Sequence, residues 1–138
     1  MKGIMAALLG LVVIVSVAWG GEYRYVTPKD FREWLDGKRP VTIVDIQPAD
    51  DYRKQHFDGS IETNAYPVKT DSDRQKLEPA LSRVQKNSDP IVIVCPRGGG
   101  GARGTYDYLK GKGVDEKRLF ILEEGMAGWP YREVLKGL

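Results

Sequence analysis

The segment that most restricts how this chain can fold is Ile91-Val92-Ile93-Val94-Cys95, closed by Pro96 and followed, after Arg97, by the unbroken glycine run Gly98 to Gly101. A short, continuous run of β-branched residues with no polar alternation reads as a strand buried on both faces, which parallel sheets covered by helices provide. Pro96 has no N–H for the ladder and ends the strand. Beyond the glycines, the spacing predicts a helix from about Ala102 to Lys110, turning Tyr106 and Leu109 inward, with Gly111 and Gly113 closing it. Val41 to Ile46 and Leu119 to Leu122 read as further buried strands. Strands alternating with helices argue for an α/β domain with a mainly parallel central sheet flanked by helices.

The remaining punctuation is compatible with that architecture. Tyr23 to Val26 is extended. Thr27 and Pro28 then open a helix as N-cap and first helical residue, and Gly37 stops it. Phe31, Trp34 and Leu35 share one face of that helix. Pro48 opens a helical turn through Tyr52 and Arg53, Asp58-Gly59 makes a turn, and the chain is extended again around Ile61. Asp71 to Asn87 is a charged helical stretch carrying Leu77, Leu81 and Val84 inward, with Pro79 splitting or kinking it; its polar face reads as solvated surface. Glu123 to Gly128 is expected to be a loop, and a last helix is expected from Trp129 or Pro130 to Lys136.

The length of 138 residues leaves room for about one domain. Lys2 precedes a stretch from Ile4 to Trp19 that is uncharged and interrupted only by Gly10 and Ser16, and Ala18-Trp19-Gly20 supplies a small-x-small exit. That layout predicts a secretory signal peptide over residues 1–20, ahead of a domain over 21–138. If uncleaved it would be an anchor, although a helix of that length rises only ~24 Å against a hydrocarbon core of ~30 Å. The expected location is periplasmic or otherwise exported. With 21 Lys plus Arg against 19 Asp plus Glu, the formal charge is +2, which excludes a charge-dominated nucleic-acid binder. Membrane contact is expected only if the signal stays attached. One Cys and one His rule out an intrachain disulfide and a cysteine-based zinc site. An unpaired thiol in an oxidising compartment is either buried and inert or present for its chemistry.

Position favours chemistry. Cys95 stands at the carboxyl end of a buried strand, where open α/β sheets bind ligands. The glycines Gly98, Gly99, Gly100 and Gly101 allow backbone N–H groups to turn inward as an anion-binding nest, and the following helix adds its positive end. Both favour a thiolate, a persulfide anion or the oxyanion of a docked substrate. Pro96 shapes the loop, and Arg97 and Arg103 supply its fixed positive charges.

Three separated segments carry a family resemblance. They are Val44-Asp45-Ile46-Gln47 with Asp51-Tyr52 and His56-Phe57-Asp58-Gly59-Ser60-Ile61; Cys95-x-x-Gly98; and Leu122-Glu123-Glu124-Gly125-Met126-Ala127-Gly128-Trp129. In their order and spacing they resemble the single-domain rhodanese-like sulfurtransferases over almost all of residues 21–138. The resemblance implies that Cys95 takes a sulfane sulfur from a small donor such as thiosulfate, a polysulfide or a persulfide. It holds that sulfur as a persulfide among the loop amides and passes it to a thiol or cyanide-like acceptor, or to a protein persulfide partner. No metal or organic cofactor is implied. Asp45 and His56 are read as supporting hydrogen-bond organisers, and Trp129 as core or pocket wall.

The chain also departs from the family pattern. Active members often carry Arg five positions after the Cys, where this chain has Gly100, and the Arg usual after the strand's Asp-x is Gln47. Losing loop arginines should weaken binding of a dianion such as thiosulfate, unless Arg97 or Arg103 compensates. The alternative is a non-catalytic rhodanese-like binding module that presents its loop to a partner protein. Related phosphatase and arsenate-reductase folds need His before the Cys and Arg six residues after it; Val94 and Gly101 occupy those positions.

Overall fold

The computed structural model describes residues 22–137. The expected signal segment 1–20 lies outside the described residues. The sheet strands are β1 (Tyr25–Val26), β2 (Thr42–Asp45), β4 (Ile61–Glu62), β5 (Ile91–Val94) and β6 (Leu119–Leu122). They form one five-stranded sheet in the order β1-β6-β5-β2-β4, every pairing parallel. The helices are α1 (Pro28–Asp36), α2 (Ala49–Lys54), α3 (Asp71–Gln75), α4 (Glu78–Val84) and α5 (Gly100–Gly111). Two short strands, β3 (His56–Phe57) and β7 (Leu135–Lys136), make a separate antiparallel ribbon.

Successive side chains of a strand point to opposite faces, and the buried strands divide their residues between two cores accordingly. On one side Val44, Ile91, Ile93, Leu119 and Ile121 pack with Leu77, Leu81 and Val84 and with Ala102, Tyr106 and Leu109 of α5. On the other Ile43, Val92, Val94 and Leu122 meet Phe31 of α1, Phe57, Met126 and Trp129. Cys95 belongs to the first side. Both faces are covered, so a strand such as β5 shows no polar alternation in its sequence.

The local signals are satisfied where expected. Thr27 Oγ1 accepts from the Asp30 N–H at 3.1 Å, with Pro28 opening α1. Pro79 falls in the first turn of α4 and separates it from α3, whose start is a reciprocal capping box between Thr70 and Asp73.

The chain end departs from expectation. Instead of a helix to Lys136, single 3-10 turns cover Met126–Gly128 and Arg132–Val134, and Leu135–Lys136 pairs with His56–Phe57 as strand β7. Pro130 interrupts any helix here. The side chains of Tyr131, Val134 and Leu135 are used against the Phe57–Trp129 core rather than along one helical stripe.

Candidate functional site

β5 lies in the middle of the sheet, and Cys95 follows directly on its last residue. It is the described chain's one free thiol and is 1% exposed. The backbone around it is tied on both sides. Val94 C=O accepts from Ile46 N–H at 2.9 Å, Cys95 C=O from Met126 N–H at 2.8 Å, and Pro96 C=O from Ala127 N–H at 2.9 Å. The base of the loop is thereby clamped between the segment after β2 and the turn after β6.

Within the loop, Gly98 N–H donates to Cys95 Sγ at 2.7 Å. Gly98 has φ +72°, which a side chain would oppose, and a Cβ there would lie 2.8 Å from Glu124 N. Gly125, φ +62°, faces it from the other segment. A Cβ on Gly125 would meet Gly98 N at 2.6 Å and Arg97 N at 2.7 Å. The two glycines let the backbones touch, and this contact holds the Gly98 N–H on the sulfur.

The glycine run divides its work. Gly98 alone of the four has positive φ and donates to the thiol. Gly99 is the N-cap of α5, whereas Gly100 and Gly101 are its first turn rather than loop. Gly101 is buried, and a Cβ on it would come within 2.9 Å of the Tyr66 ring and 3.0 Å of Ile46 Cδ1. Gly100 is exposed; the one atom near its Cβ position is Arg103 Nη2 at 4.0 Å. Arg103 therefore lies along the first turn of α5, and Arg97 is likewise exposed.

Beside this loop, β2 ends on Asp45, buried completely. Gln47 holds both its oxygens: the backbone N–H donates to Oδ1 at 2.8 Å and Nε2 to Oδ2 at 2.9 Å. Gln47 Nε2 also reaches the Gln55 carbonyl at 3.1 Å, linking the end of β2 to the end of α2. Burial pushes the Asp45 carboxyl up to about 6; the Gln47 hydrogen bonds and the nearby His56 oppose this, and Glu62 adds to it. His56 donates Nδ1–H to the Tyr52 carbonyl at 2.7 Å and stacks on the Tyr52 ring at 4.1 Å. Both contacts tie the α2–β3 turn. Trp129 is core: it packs on Phe31 and Phe57, and its Nε1–H is satisfied by Tyr131 C=O at 2.9 Å.

A cleft of about 200 Å³ runs beside the loop, bordered by Gln47, Asp51, Lys54, Pro96, Arg97 and Met126 among others. Lys54 was not among the charges that spacing assigned to the site. It arrives because α2 ends against the loop, and its only sequence signal was a basic residue in the last turn of a short helix. Gly125 and Met126 are also missed by local reading, although the resemblance had marked their segment. Among the described residues no group of three or more His, Cys, Asp or Glu side chains converges as a metal site would.

The sequence pattern of the rhodanese-like domain matches residues 27–130. The uncharacterized protein YibN of Escherichia coli (strain K12) is 30% identical over 125 residues, covering 91% of this chain and 80% of that protein. Among solved structures, a thiosulfate sulfurtransferase of Pseudomonas aeruginosa superposes with a TM-score of 0.63 at 20% identity over 84% of this chain, which spans only 20% of that protein. Ygr203w of Saccharomyces cerevisiae, a homolog of single-domain rhodanese and the Cdc25 phosphatase catalytic domain, gives 0.64 at 17% identity, over 82% of this chain and 86% of that one.

Proposed function

The chain belongs to the rhodanese-like domain family, and on that premise we propose that it is an exported sulfurtransferase working through a persulfide on Cys95. The observation that carries this reading is the Gly98 N–H held on Cys95 Sγ by backbone contacts that only glycines at 98 and 125 permit. Such a donor stabilises negative charge on sulfur, both on the attacking thiolate and on the persulfide. In the first half-reaction the Cys95 thiolate attacks the sulfane sulfur of a donor and expels the rest; with thiosulfate the leaving group is sulfite. In the second a nucleophilic acceptor takes the outer sulfur and Cys95 leaves as thiolate.

Phosphatase chemistry fits less well, despite the likeness to Ygr203w. A guanidinium six positions after the cysteine would have to occupy Gly101, whose Cβ direction is filled by Tyr66 and Ile46. Export rests on residues 1–20, with cleavage after Gly20; amino-terminal sequencing of protein from the periplasmic fraction tests it.

The transferase reading is tested by incubating the protein with thiosulfate, and separately with polysulfide, then measuring intact mass and mapping the Cys95 peptide. One sulfur atom should be added at Cys95 and none in Cys95→Ser. The absence of an adduct with any sulfane donor would leave the domain as a binding module.

A further inference from the structure

Two adjoining depressions have Lys54 and Gln55 in common. The inner one is the cleft beside the Cys95 loop, with Arg97 on its rim. The outer one, about 300 Å³, is bordered by Arg132, Leu135 and Lys136. Two distant stretches of chain build it, the end of α2 and the chain end. The β3–β7 ribbon sets Lys136 opposite His56, just past the end of α2, and so brings the chain end beside Lys54.

Charge along this path is one-sided. Among the described residues four cations border it, and the only carboxylate there is Asp51, on the inner part. The acids adjacent in sequence are engaged elsewhere: Asp50 pairs with Arg53 at 2.9 Å, and Glu133 with Arg32 at 2.7 Å. Among the described residues, Lys54, Arg97, Arg132 and Lys136 have no ion-pair partner. Positive charge thus borders a path that begins beside Pro96 and Arg97 of the Cys95 loop and runs out to the chain end. The combined space falls within the ~300–1,000 Å³ usual for small-molecule sites, and is roomier than a sulfur oxyanion needs. Leu135 is the single apolar side chain of the outer part, so the lining selects for charge rather than for hydrocarbon.

We propose that Lys54, Arg132 and Lys136 form a subsite for the anionic end of a small dicarboxylate thiol, which accepts sulfur from Cys95. The assignment of this molecule as acceptor rests on the transferase reading above; the dicarboxylate site does not. Bound there, the acceptor's thiolate attacks the outer sulfur of the Cys95 persulfide. A new S–S bond forms on the acceptor, the Cys95 S–S bond breaks, the proton stays with the transferred sulfur, and Cys95 is released as thiolate. No oxidant or reductant is consumed.

Calorimetric titration of the full chain carrying Cys95→Ser with mercaptosuccinate tests the site without turnover. Saturable binding is expected, weakened about tenfold in Lys54→Gln/Arg132→Gln/Lys136→Gln and unchanged in Lys86→Gln. In the protein with Cys95 intact, the kcat/KM ratio for mercaptosuccinate over 2-mercaptoethanol should fall by the same factor in the triple variant. Absence of saturable binding, equal affinity in the triple variant, or binding of an acidic peptide in place of mercaptosuccinate would overturn the subsite. Intact dicarboxylate binding with no sulfur uptake by Cys95 would instead overturn the acceptor role along with the transferase reading.

Discussion

The two neighbouring strand ends at the site are built by opposite means. β5 ends in a thiol held by backbone: Gly98 N–H on the sulfur, Gly125 behind it, and two loop carbonyls tied to Met126 and Ala127. β2 ends in a carboxyl group held by one residue, Gln47: its backbone N–H takes one oxygen, and its side-chain amide serves both the other oxygen and the end of α2. A backbone-held group is insensitive to most side-chain changes but intolerant of a Cβ at the glycines. A side-chain-held group tolerates backbone adjustment and is sensitive to protonation. On the proposed transferase reading, the first suits a sulfur that carries negative charge in each turnover, and the second suits a fixed brace beside it.

Gly125→Ala should break the backbone-held end with the largest effect. It places a Cβ against Gly98 N and Arg97 N in a positive-φ residue, and a cost of about 4 kcal/mol in urea denaturation is expected. Loss of sulfur uptake by Cys95 should accompany it. A variant of wild-type stability would show that the two segments can separate at little cost.

The side-chain-held end should reveal itself through pH. Asp45 is raised to about 6 in the fold, against an ordinary value of about 3.9. The folded chain therefore holds this proton more tightly than the unfolded one. Its contribution to stability is full below about pH 4 and is lost as pH rises through 6. Relative to Asp45→Asn, the protein should lose about 2 kcal/mol between pH 4 and pH 7. Parallel stability curves for the two proteins would contradict the assignment.

A smaller effect should come from Gly100→Arg. The position is exposed and open toward solvent apart from Arg103 Nη2. A guanidinium there restores the charge that resembling proteins often carry, and kcat/KM for thiosulfate should rise about tenfold. No gain would mean that Arg97, Arg103 or Lys54 already supplies the needed charge. The smallest change is expected for Gly99→Ala, whose Cβ meets nothing within 4 Å and whose φ is −101°. It should cost less than about 1 kcal/mol. Together with Gly125→Ala it separates a glycine required for contact from one that merely lies in the run.

Much of this layout was legible in the chain. The apolar run Ile91 to Val94 is a central strand because it is buried on both faces, and such burial leaves a direct mark on composition. The Thr27-Pro28 start of α1 and the Pro79 break are local, and local signals survive into the fold. The chain end was not legible, and the helix expected there does not form. Whether Leu135 and Lys136 coil or pair depends on His56 and Phe57, which lie far away in sequence and offer the free strand edge. The glycine run misled in a smaller way: four glycines suggested four loop residues, but the helix starts at Gly100 because Gly101 packs under Tyr66 and Ile46.

By itself the sequence determined the α/β class, the strand that presents Cys95 and the glycine that must follow it, because burial periodicity and backbone freedom are properties of neighbouring residues. Only the tertiary structure decided that Gly125 backs Gly98, that Gln47 braces Asp45, and that Lys54, Arg132 and Lys136 share one groove. These are meetings between segments distant in sequence. They follow from the parallel order of the strands and the β3–β7 ribbon, which no local spacing encodes.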